Sequence, residues 1–148
     1  MKNMIILKSL SNIVDKFDTF IIDLWGVIHN GTKTYKYATD CINILHKLNK
    51  KIILISNSSK NNLITINKLK KLGLNIQIFT KIITSGEVVF EELRKPTYEW
   101  SKNLGNKYYH LSNLLKKNKN NFLKEFDKEL VENINSADFI SFFQLSNI

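Results

Sequence analysis

The stretch Phe20–Gly31, FIIDLWGVIHNG, decides the fold of this chain. It continues an apolar run from Thr19 to Leu24, and such a run is typical of a strand buried on both faces of a parallel sheet. The run carries Asp23 near its end, and the polar turn HNGT follows a few residues later. The sequence therefore predicts a buried strand that brings one carboxylate to the carboxyl edge of a sheet.

Helices and strands alternate around this stretch. Apolar positions at helical spacing predict helices in residues 4–17, 39–49 and 63–72, the last capped by Gly73. Buried strands are predicted at 51–55 and within 76–85, and a further helix starts with Thr84 or Ser85 as N-cap. This alternation indicates an α/β fold, a three-layer Rossmann-like parallel sheet with right-handed crossovers.

The character of the sequence changes after Pro96. A polar connection, TYEWSKNLGN, leads to a short predicted strand, KYYHLS, and then to a lysine- and asparagine-rich helix over residues 113–126. Another strand, ADFISFF, is predicted before the C-terminus. We therefore expect two domains, a core in residues 1–100 and the beginning of a second α/β domain in residues 101–148.

Composition excludes several functional classes. The net charge is +9, but Arg94 is the only arginine and the lysines are scattered among asparagines, so we expect no nucleic-acid partner. A single cysteine, Cys41, rules out an internal disulfide. No apolar stretch reaches the roughly 20 residues of a membrane span, and Lys8 interrupts the first apolar run too early for a secretion signal. We expect a cytoplasmic protein.

Polar groups follow two successive predicted strands. Asp23 and its turn end the first strand, and Ser56 and Asn57 end the next. Ligands of open parallel sheets bind beyond the carboxyl ends of the strands. There, Asp23 could act as a nucleophile or a metal ligand, Ser56 and Asn57 could donate to a phosphate, and the backbone N–H groups of Gly26 and Val27 could cradle its oxygens. The pattern favours phosphoryl-transfer chemistry.

The segments FIIDLWGVIHNG, ILISNSS and IITSGEVV, in this order, resemble the haloacid dehalogenase-like hydrolases. The likeness covers about residues 18–95 and is greatest to the class IIA subgroup, whose cap domain is inserted after the second motif. The resemblance implies that Asp23 forms an aspartyl-phosphate and binds Mg²⁺ together with the backbone carbonyl of Trp25. It implies a phosphoryl-binding role for Ser56, a substrate-site position for Asn57, and the opening part of a cap in residues 101–148.

Two features depart from the family pattern. Trp25 replaces the second aspartate, which protonates the leaving group and then activates water, and an indole cannot transfer that proton. His29 is a candidate substitute, although we expect it to be a surface turn residue. The lysine of the third motif and the aspartate of the fourth are absent as well. The chain is therefore expected to be an N-terminal portion, incomplete or inactive as an enzyme and prone to self-association through an uncovered sheet edge.

The sequence leaves one alternative open and disfavours two other classes. A non-catalytic protein of the same fold, binding a phosphorylated small molecule or a partner chain, remains the alternative. A receiver domain is disfavoured because Asp23 has no acidic partner after the first strand, and a dinucleotide-binding domain is disfavoured because the sequence has no GxGxxG.

Overall fold

The computed structural model of the chain describes residues 6–111 and 122–142, and the chain divides into two compact units, Met1–Ser85 and Gly86–Ile148. The boundary predicted at residue 100 stays a prediction. In the described ranges, no helix is long and apolar enough to cross a membrane.

The first unit is an α/β structure around a parallel sheet. Its strands are β1 (Thr19–Asp23), β2 (Lys51–Ser56) and β3 (Lys81–Thr84), in the order β1-β2-β3. Helix α1 (Lys36–Lys47) connects β1 to β2, and α2 (Asn62–Lys71) connects β2 to β3. The α/β class predicted from the alternating pattern is confirmed.

One side of this sheet faces the hydrophobic core. Alternate strand residues supply that side because successive side chains of a strand point to opposite faces. The core joins side chains of the strands, both helices and the connections: Leu24, Ile28, Ile42, Leu45, Ile52, Leu54, Leu69, Leu74, Ile78, Phe79 and Ile82. Burial of each such side chain contributes about 1.5–3 kcal/mol. The core therefore holds β1 and β2 in the register that positions the site.

The helix predicted over residues 4–17 is wrong within the described part of the chain. Two short 3₁₀ helices, Leu10–Asn12 and Val14–Lys16, occupy this region, while residues 4 and 5 lie outside the described ranges. The Ser9 N–H donates to the Asn12 side-chain oxygen at 3.2 Å. Such local side-chain bonds compete with a continuous helix, and the loose apolar spacing does not overcome them.

The later elements of this unit follow the prediction with shifted ends. Helix α1 starts three residues before the predicted start at 39, and the strand predicted within residues 76–85 is reduced to β3, preceded by a 3₁₀ turn at Ile76–Ile78. Gly73 has a positive φ of 83°, as predicted for a residue that ends a helix. Helix α3 (Ser85–Arg94) follows β3 directly and, except for Ser85, belongs to the second unit.

The second unit has its own parallel sheet. After the short helix α4 (Glu99–Lys102) come β4 (Lys107–His110), β5 (Glu129–Leu130) and β6 (Phe139–Ser141), in the order β5-β4-β6. The strands predicted in KYYHLS and ADFISFF are confirmed, and β5 was missed because it has only two residues. The helix predicted at 113–126 lies mostly outside the described residues, and its described end, Phe122–Phe126, is a 3₁₀ helix.

A buried carboxylate organises the start of α4. Glu92, on α3, accepts hydrogen bonds from the N–H groups of Thr97 and Tyr98 at 3.0 and 3.2 Å and from the Ser101 hydroxyl at 2.7 Å. The bonds from the Thr97 hydroxyl and N–H make the largest contributions, and together with the others they lower the pKa of Glu92 to about 2. The carboxylate therefore acts as a cap for the following helix.

Candidate active site

Asp23 ends β1 at the carboxyl edge of the first sheet. Its Cα pairs with that of Ile55 on β2, so Ser56 lies one residue further along the neighbouring strand. The Asp23 side chain is exposed, whereas Ser56 is buried. Because successive residues point to opposite faces, the two side chains leave the sheet on alternate sides of the same edge. The structure thus brings the predicted nucleophile and the predicted phosphate ligand to one edge.

The segment after β2 turns back on itself through its serines. The Ser58 N–H donates to the Ser56 hydroxyl oxygen at 3.2 Å, and the Lys60 N–H donates to the Ser58 hydroxyl oxygen at 3.2 Å. A hydroxyl that accepts one bond still has a proton to donate. Ser56 can therefore donate to an anion, and Asn57, which is exposed, presents its amide at the same edge.

The loop after β1 is folded and well hydrogen-bonded. The Leu24 carbonyl accepts from the N–H groups of Ile28 and His29 at 2.9 and 3.3 Å, and the Gly26 N–H donates to the His29 carbonyl at 2.8 Å. The Gly26 N–H predicted to contact phosphate is thus already used inside the loop. Within the described residues, the Val27 N–H has no such backbone partner. Of the two predicted donors, Val27 is therefore the better placed to bind an anion.

A short hairpin continues this loop. The Tyr35 N–H donates to the Ile28 carbonyl at 2.8 Å, the Asn30 N–H donates to the Lys33 carbonyl at 3.1 Å, and His29 pairs with Thr34 as an antiparallel bridge. Asn30 also accepts from the N–H groups of Thr32 and Lys33 through its side-chain oxygen. The hairpin gives the loop a defined shape beside Asp23.

Trp25 lies at the outer side of the loop. The backbone hydrogen bonds on either side of Trp25 are made by the Leu24 carbonyl and the Gly26 N–H. Among the described residues, no backbone hydrogen bond involves the N–H or the carbonyl of Trp25 itself. The indole is 62% exposed, and its Nε1 lies 3.6 Å from where a Cβ on Gly31 would be. That distance is an ordinary van der Waals contact, so the indole leaves room for a Cβ; it is the φ of +100° that favours glycine at position 31.

His29 is buried, so the prediction of a surface turn residue is wrong. Only 5% of the residue is exposed, and its Nδ1 accepts a hydrogen bond from the Gly31 N–H at 3.0 Å. This bond places the proton of the neutral ring on Nε2. Burial, and then the charge of Lys68, lower the pKa of His29, while the charge of Asp23 opposes them. Its ring folds back onto the hairpin, which the sequence pattern does not reveal.

The Asp23 carboxylate and the Trp25 carbonyl could supply some of the oxygen ligands of a Mg²⁺ ion. Among the described residues, no group of three or more His, Cys, Asp and Glu side chains could hold a metal ion. Mg²⁺ in phosphoryl-transfer sites, however, is commonly held by one or two carboxylates together with substrate phosphate and water. The exposed Asp23 carboxylate and the Trp25 carbonyl, which accepts no backbone bond in the described chain, fit this role.

The sequence interpretation missed two lysines. Lys60 follows the serines of the second strand end, and Lys68 lies on α2; both are half-buried. Burial and the charge of Lys60 lower the pKa of Lys68. Lys60 could have been suspected because it comes directly after SNSS, but the placement of Lys68 depends on the packing of α2.

Comparison with known proteins places this arrangement of strand ends in a family of hydrolases. The family model described as "Haloacid dehalogenase-like hydrolase" matches residues 20–101. A 4-nitrophenylphosphatase from Schizosaccharomyces pombe is 32% identical over 93 residues, which are 60% of this chain and 31% of that protein. The chain thus spans about a third of the length of this relative.

Solved structures show the same fold. A haloacid dehalogenase-like hydrolase from Brucella suis superposes with a TM-score of 0.70 at 22% identity, covering 97% of this chain and 50% of that one. A 4-nitrophenylphosphatase from Thermotoga maritima superposes with a TM-score of 0.55 at 21% identity, covering 88% and 46%. This chain belongs to the haloacid dehalogenase-like hydrolases, as the order of its motifs predicted.

Proposed function

We propose that this chain carries the nucleophile and phosphate-binding groups of a Mg²⁺-dependent hydrolase that acts on small phosphomonoesters. The observation that carries the proposal is the register between β1 and β2, which places exposed Asp23 and the Ser56 hydroxyl at one sheet edge beside a folded loop. A 4-nitrophenylphosphatase among its relatives supports a phosphomonoester as substrate.

The reaction would proceed in two displacements. A carboxylate oxygen of Asp23 attacks phosphorus, the ester P–O bond breaks, and the departing alkoxide takes a proton from water to leave as the alcohol. Water then attacks the phosphorus of the aspartyl-phosphate, the bond to Asp23 breaks, and orthophosphate leaves. Ser56 and the Val27 N–H would hold the phosphoryl oxygens throughout both displacements.

Magnesium would be held by the Asp23 carboxylate and the Trp25 carbonyl, with water and the substrate phosphate completing its shell. When bound, it supplies positive charge that offsets the charge on the phosphoryl oxygens. The cytoplasmic location, the absence of nucleic-acid and membrane partners, and a cap role for the second unit stay predictions from the sequence.

The experiment is a phosphate-release assay on the purified chain with Mg²⁺ and a panel of phosphomonoesters that includes 4-nitrophenyl phosphate. We expect slow release that Asp23→Asn abolishes, because the amide cannot attack phosphorus. Asp18→Asn is the matched control, since the Asp18 side chain is fully exposed just before β1. Equal release by Asp23→Asn and the wild-type chain would refute the nucleophile.

A second candidate function rests on Trp25. The N–H proton of its indole does not titrate and so cannot serve acid–base catalysis, which favours a protein that binds phosphomonoesters without hydrolysing them. In that case the same assay shows no phosphate release, whereas calorimetry shows saturable ester binding that Ser56→Ala weakens.

A further inference from the structure

Asp23 and Trp25 present their side chains on the same side of the chain. Both are exposed, whereas Leu24 between them is only 2% exposed and belongs to the core. This alternation continues the pattern of β1, in which successive side chains point to opposite faces. Two residues of an extended chain span at most about 7 Å. The indole is therefore within reach of a ligand held at the Asp23 carboxylate.

The loop that carries Trp25 fixes the position of its indole. The Gly26 N–H donates to the His29 carbonyl at 2.8 Å, and Trp25 pairs with His29 as a parallel bridge. The indole Nε1 has Gly31 as a neighbour at van der Waals distance, yet the residue as a whole is 62% exposed. Most of the ring surface therefore stays open to a ligand although the backbone that carries it is held in place.

The loop offers an apolar surface beside the proposed phosphate site. Val27, which is 47% exposed, adds a second apolar side chain to that of Trp25. A phosphate bound by the Val27 N–H would leave the organic part of the ester close to these side chains. Aromatic rings stack on an indole in offset or edge-to-face arrangements, which adds to the gain from apolar area alone. The surface therefore favours an ester whose organic part is a flat ring.

The chemistry of the leaving group favours the same class of ester. In the first displacement, the ester P–O bond breaks and its electron pair stays on the departing oxygen. The indole of Trp25 supplies no proton to that oxygen. A phenolate is a much weaker base than an alkoxide, since the pKa of a phenol is about 10 and that of water, which an aliphatic alcohol resembles, is about 16. An aryl ester therefore needs less acid catalysis from position 25.

We propose that Trp25 selects phosphomonoesters of aromatic alcohols by stacking its indole on the departing ring. This rests on the proposed function, since the phosphoryl group is taken to lie between Asp23 and Ser56. The bond from Asp23 to phosphorus forms, the bond from phosphorus to the aryl oxygen breaks, and the phenolate takes its proton from water. Stacking uses only the side chain, so the Trp25 carbonyl keeps its proposed role toward Mg²⁺.

The test compares phenyl phosphate, cyclohexyl phosphate and methyl phosphate. Their dissociation constants are measured by calorimetry with Mg²⁺ on the wild-type chain at about pH 8, where each phosphate carries two charges. The phenyl and cyclohexyl rings have equal numbers of carbon atoms, but only the phenyl ring is flat, so their ratio separates stacking from apolar area. We expect phenyl phosphate to bind about three- to tenfold more tightly than cyclohexyl phosphate.

Variants assign this preference to the indole. Trp25→Leu should bring the ratio of the two affinities to near unity, because leucine keeps an apolar side chain without a flat ring. Trp25→Phe should retain part of the preference. Phe17→Leu is the matched control, since Phe17 is an aromatic residue, 52% exposed, that precedes β1 at the opposite end of the strand from Asp23. Unchanged melting temperatures would confirm that the variants are folded.

A fluorescence measurement leaves position 25 unchanged. The chain has two tryptophans, so Trp25 is the sole one in the variant Trp100→Phe. Saturation with 4-nitrophenyl phosphate should quench Trp25 emission, after correction for absorption by the ester, because a nitroaromatic ring stacked on an indole takes up its excitation. Inorganic phosphate should leave the emission unchanged. Saturable ester binding without quenching overturns the stacking, even if a variant at position 25 fails to fold.

The outcomes separate this role of Trp25 from the proposed function. Equal affinity for phenyl and cyclohexyl phosphate in the wild-type chain, or a preference that survives in Trp25→Leu, overturns the selection by stacking. If Ser56→Ala weakens the binding of methyl phosphate in that case, the proposed function stands without it. Binding of none of the three esters overturns both.

Discussion

At the scale of single residues, Trp25 determines what the site can do. In the described chain, the N–H and carbonyl of Trp25 make no backbone hydrogen bond. The side chain rests beside Gly31, and the residue is 62% exposed. The residue can therefore offer a carbonyl to a cation and an apolar surface to a ligand. Proton transfer from this position is excluded because the indole N–H neither gains nor loses a proton at neutral pH.

The chemistry of position 25 can be tested by restoring a carboxyl group. We expect Trp25→Asp to raise phosphate release, because general acid–base catalysis contributes about 10²–10⁴-fold and the side chain is exposed at the site. Trp25→Asn is the control, since it has nearly the same shape without a titratable proton. Release is measured against pH with 4-nitrophenyl phosphate. Equal rates for the two variants would contradict the acid–base role.

At the scale of elements, the turn before β4 depends on a glycine. Gly105 has φ +68°, and a Cβ there would lie 2.6 Å from the Asp138 Cβ. Asp138 accepts from the N–H groups of Asn106 and Lys107 at 2.8 and 2.7 Å, so it joins the start of β4 to the residue before β6. The turn therefore couples two strands of the second sheet.

Gly105→Ala should consequently destabilise the protein more than an ordinary glycine substitution. Strained φ costs about 1–2 kcal/mol, and displacement of Asp138 adds the loss of its hydrogen bonds to the Asn106 and Lys107 N–H groups. Gly73→Ala is the matched control, because Gly73 also has a positive φ but open space around it. Urea unfolding of the two variants measures the difference, and equal losses would refute the role of Asp138.

The Glu92 cap predicts a dependence of stability on acid. The folded pKa of Glu92 is lowered to about 2 by its hydrogen bonds, with those of Thr97 first, from an ordinary value of 4.5. A carboxyl group with a depressed pKa contributes its full stability above the unfolded pKa and loses it as the pH falls through the folded pKa. The contribution should therefore disappear between about pH 4.5 and pH 2.

This loss can be isolated with Glu92→Gln, which keeps the shape but not the charge. The difference in free energy of unfolding between wild type and variant should be constant above pH 5 or so and shrink toward pH 2. Comparing the two proteins cancels the effect of Asp138, whose pKa is also lowered by backbone hydrogen bonds from Lys107 and Asn106. A difference independent of pH would show that the carboxylate charge is not what stabilises α4.

At the scale of the whole molecule, the first sheet presents an apolar surface. The strand positions that alternate with the core include Ile21 and Ile55, which are 68% and 46% exposed. Ile21 pairs in register with Ile53, and Ile55 with Ile83, so the four side chains are neighbours. We call these four residues the open face. Ile21 and Ile55 are exposed and Ile53 and Ile83 are half-buried, and such a group of apolar side chains favours association with another surface.

We therefore predict that the purified chain self-associates through the open face. Ile21→Thr with Ile55→Thr should shift the sedimentation profile toward monomer, because threonine keeps strand propensity while reducing apolar area. Ile64→Thr is the control, since Ile64 is 50% exposed on α2, away from the sheet. A wild-type chain that sediments as a monomer at micromolar concentration would contradict the prediction.

Most helices and strands of the first unit could be predicted from the sequence because the signals for them are local. Continuous apolar runs predicted β1 and β2, and apolar residues at helical spacing predicted α1 and α2. Each of these patterns reflects the burial of a single element. The prediction failed at residues 4–17, where Ser9 and Asn12 bond locally, and at β5, which is too short to show a period. The predicted site residues Asp23, Ser56 and Asn57 follow the ends of strands, so their placement at one edge could be anticipated.

By itself, the sequence determined the family, the α/β class and the position of Asp23, because these depend on motif order and on hydrophobic runs along the chain. Only the tertiary structure decided that the Gly26 N–H is used inside the loop, that His29 is buried against Gly31, and that Lys68 is half-buried on α2. These features depend on how a loop folds back and how α2 packs on the sheet. The loop bonds join residues only two or three apart, but which of them form depends on the conformation that the loop adopts in the folded chain, and hydrophobic periodicity does not record that.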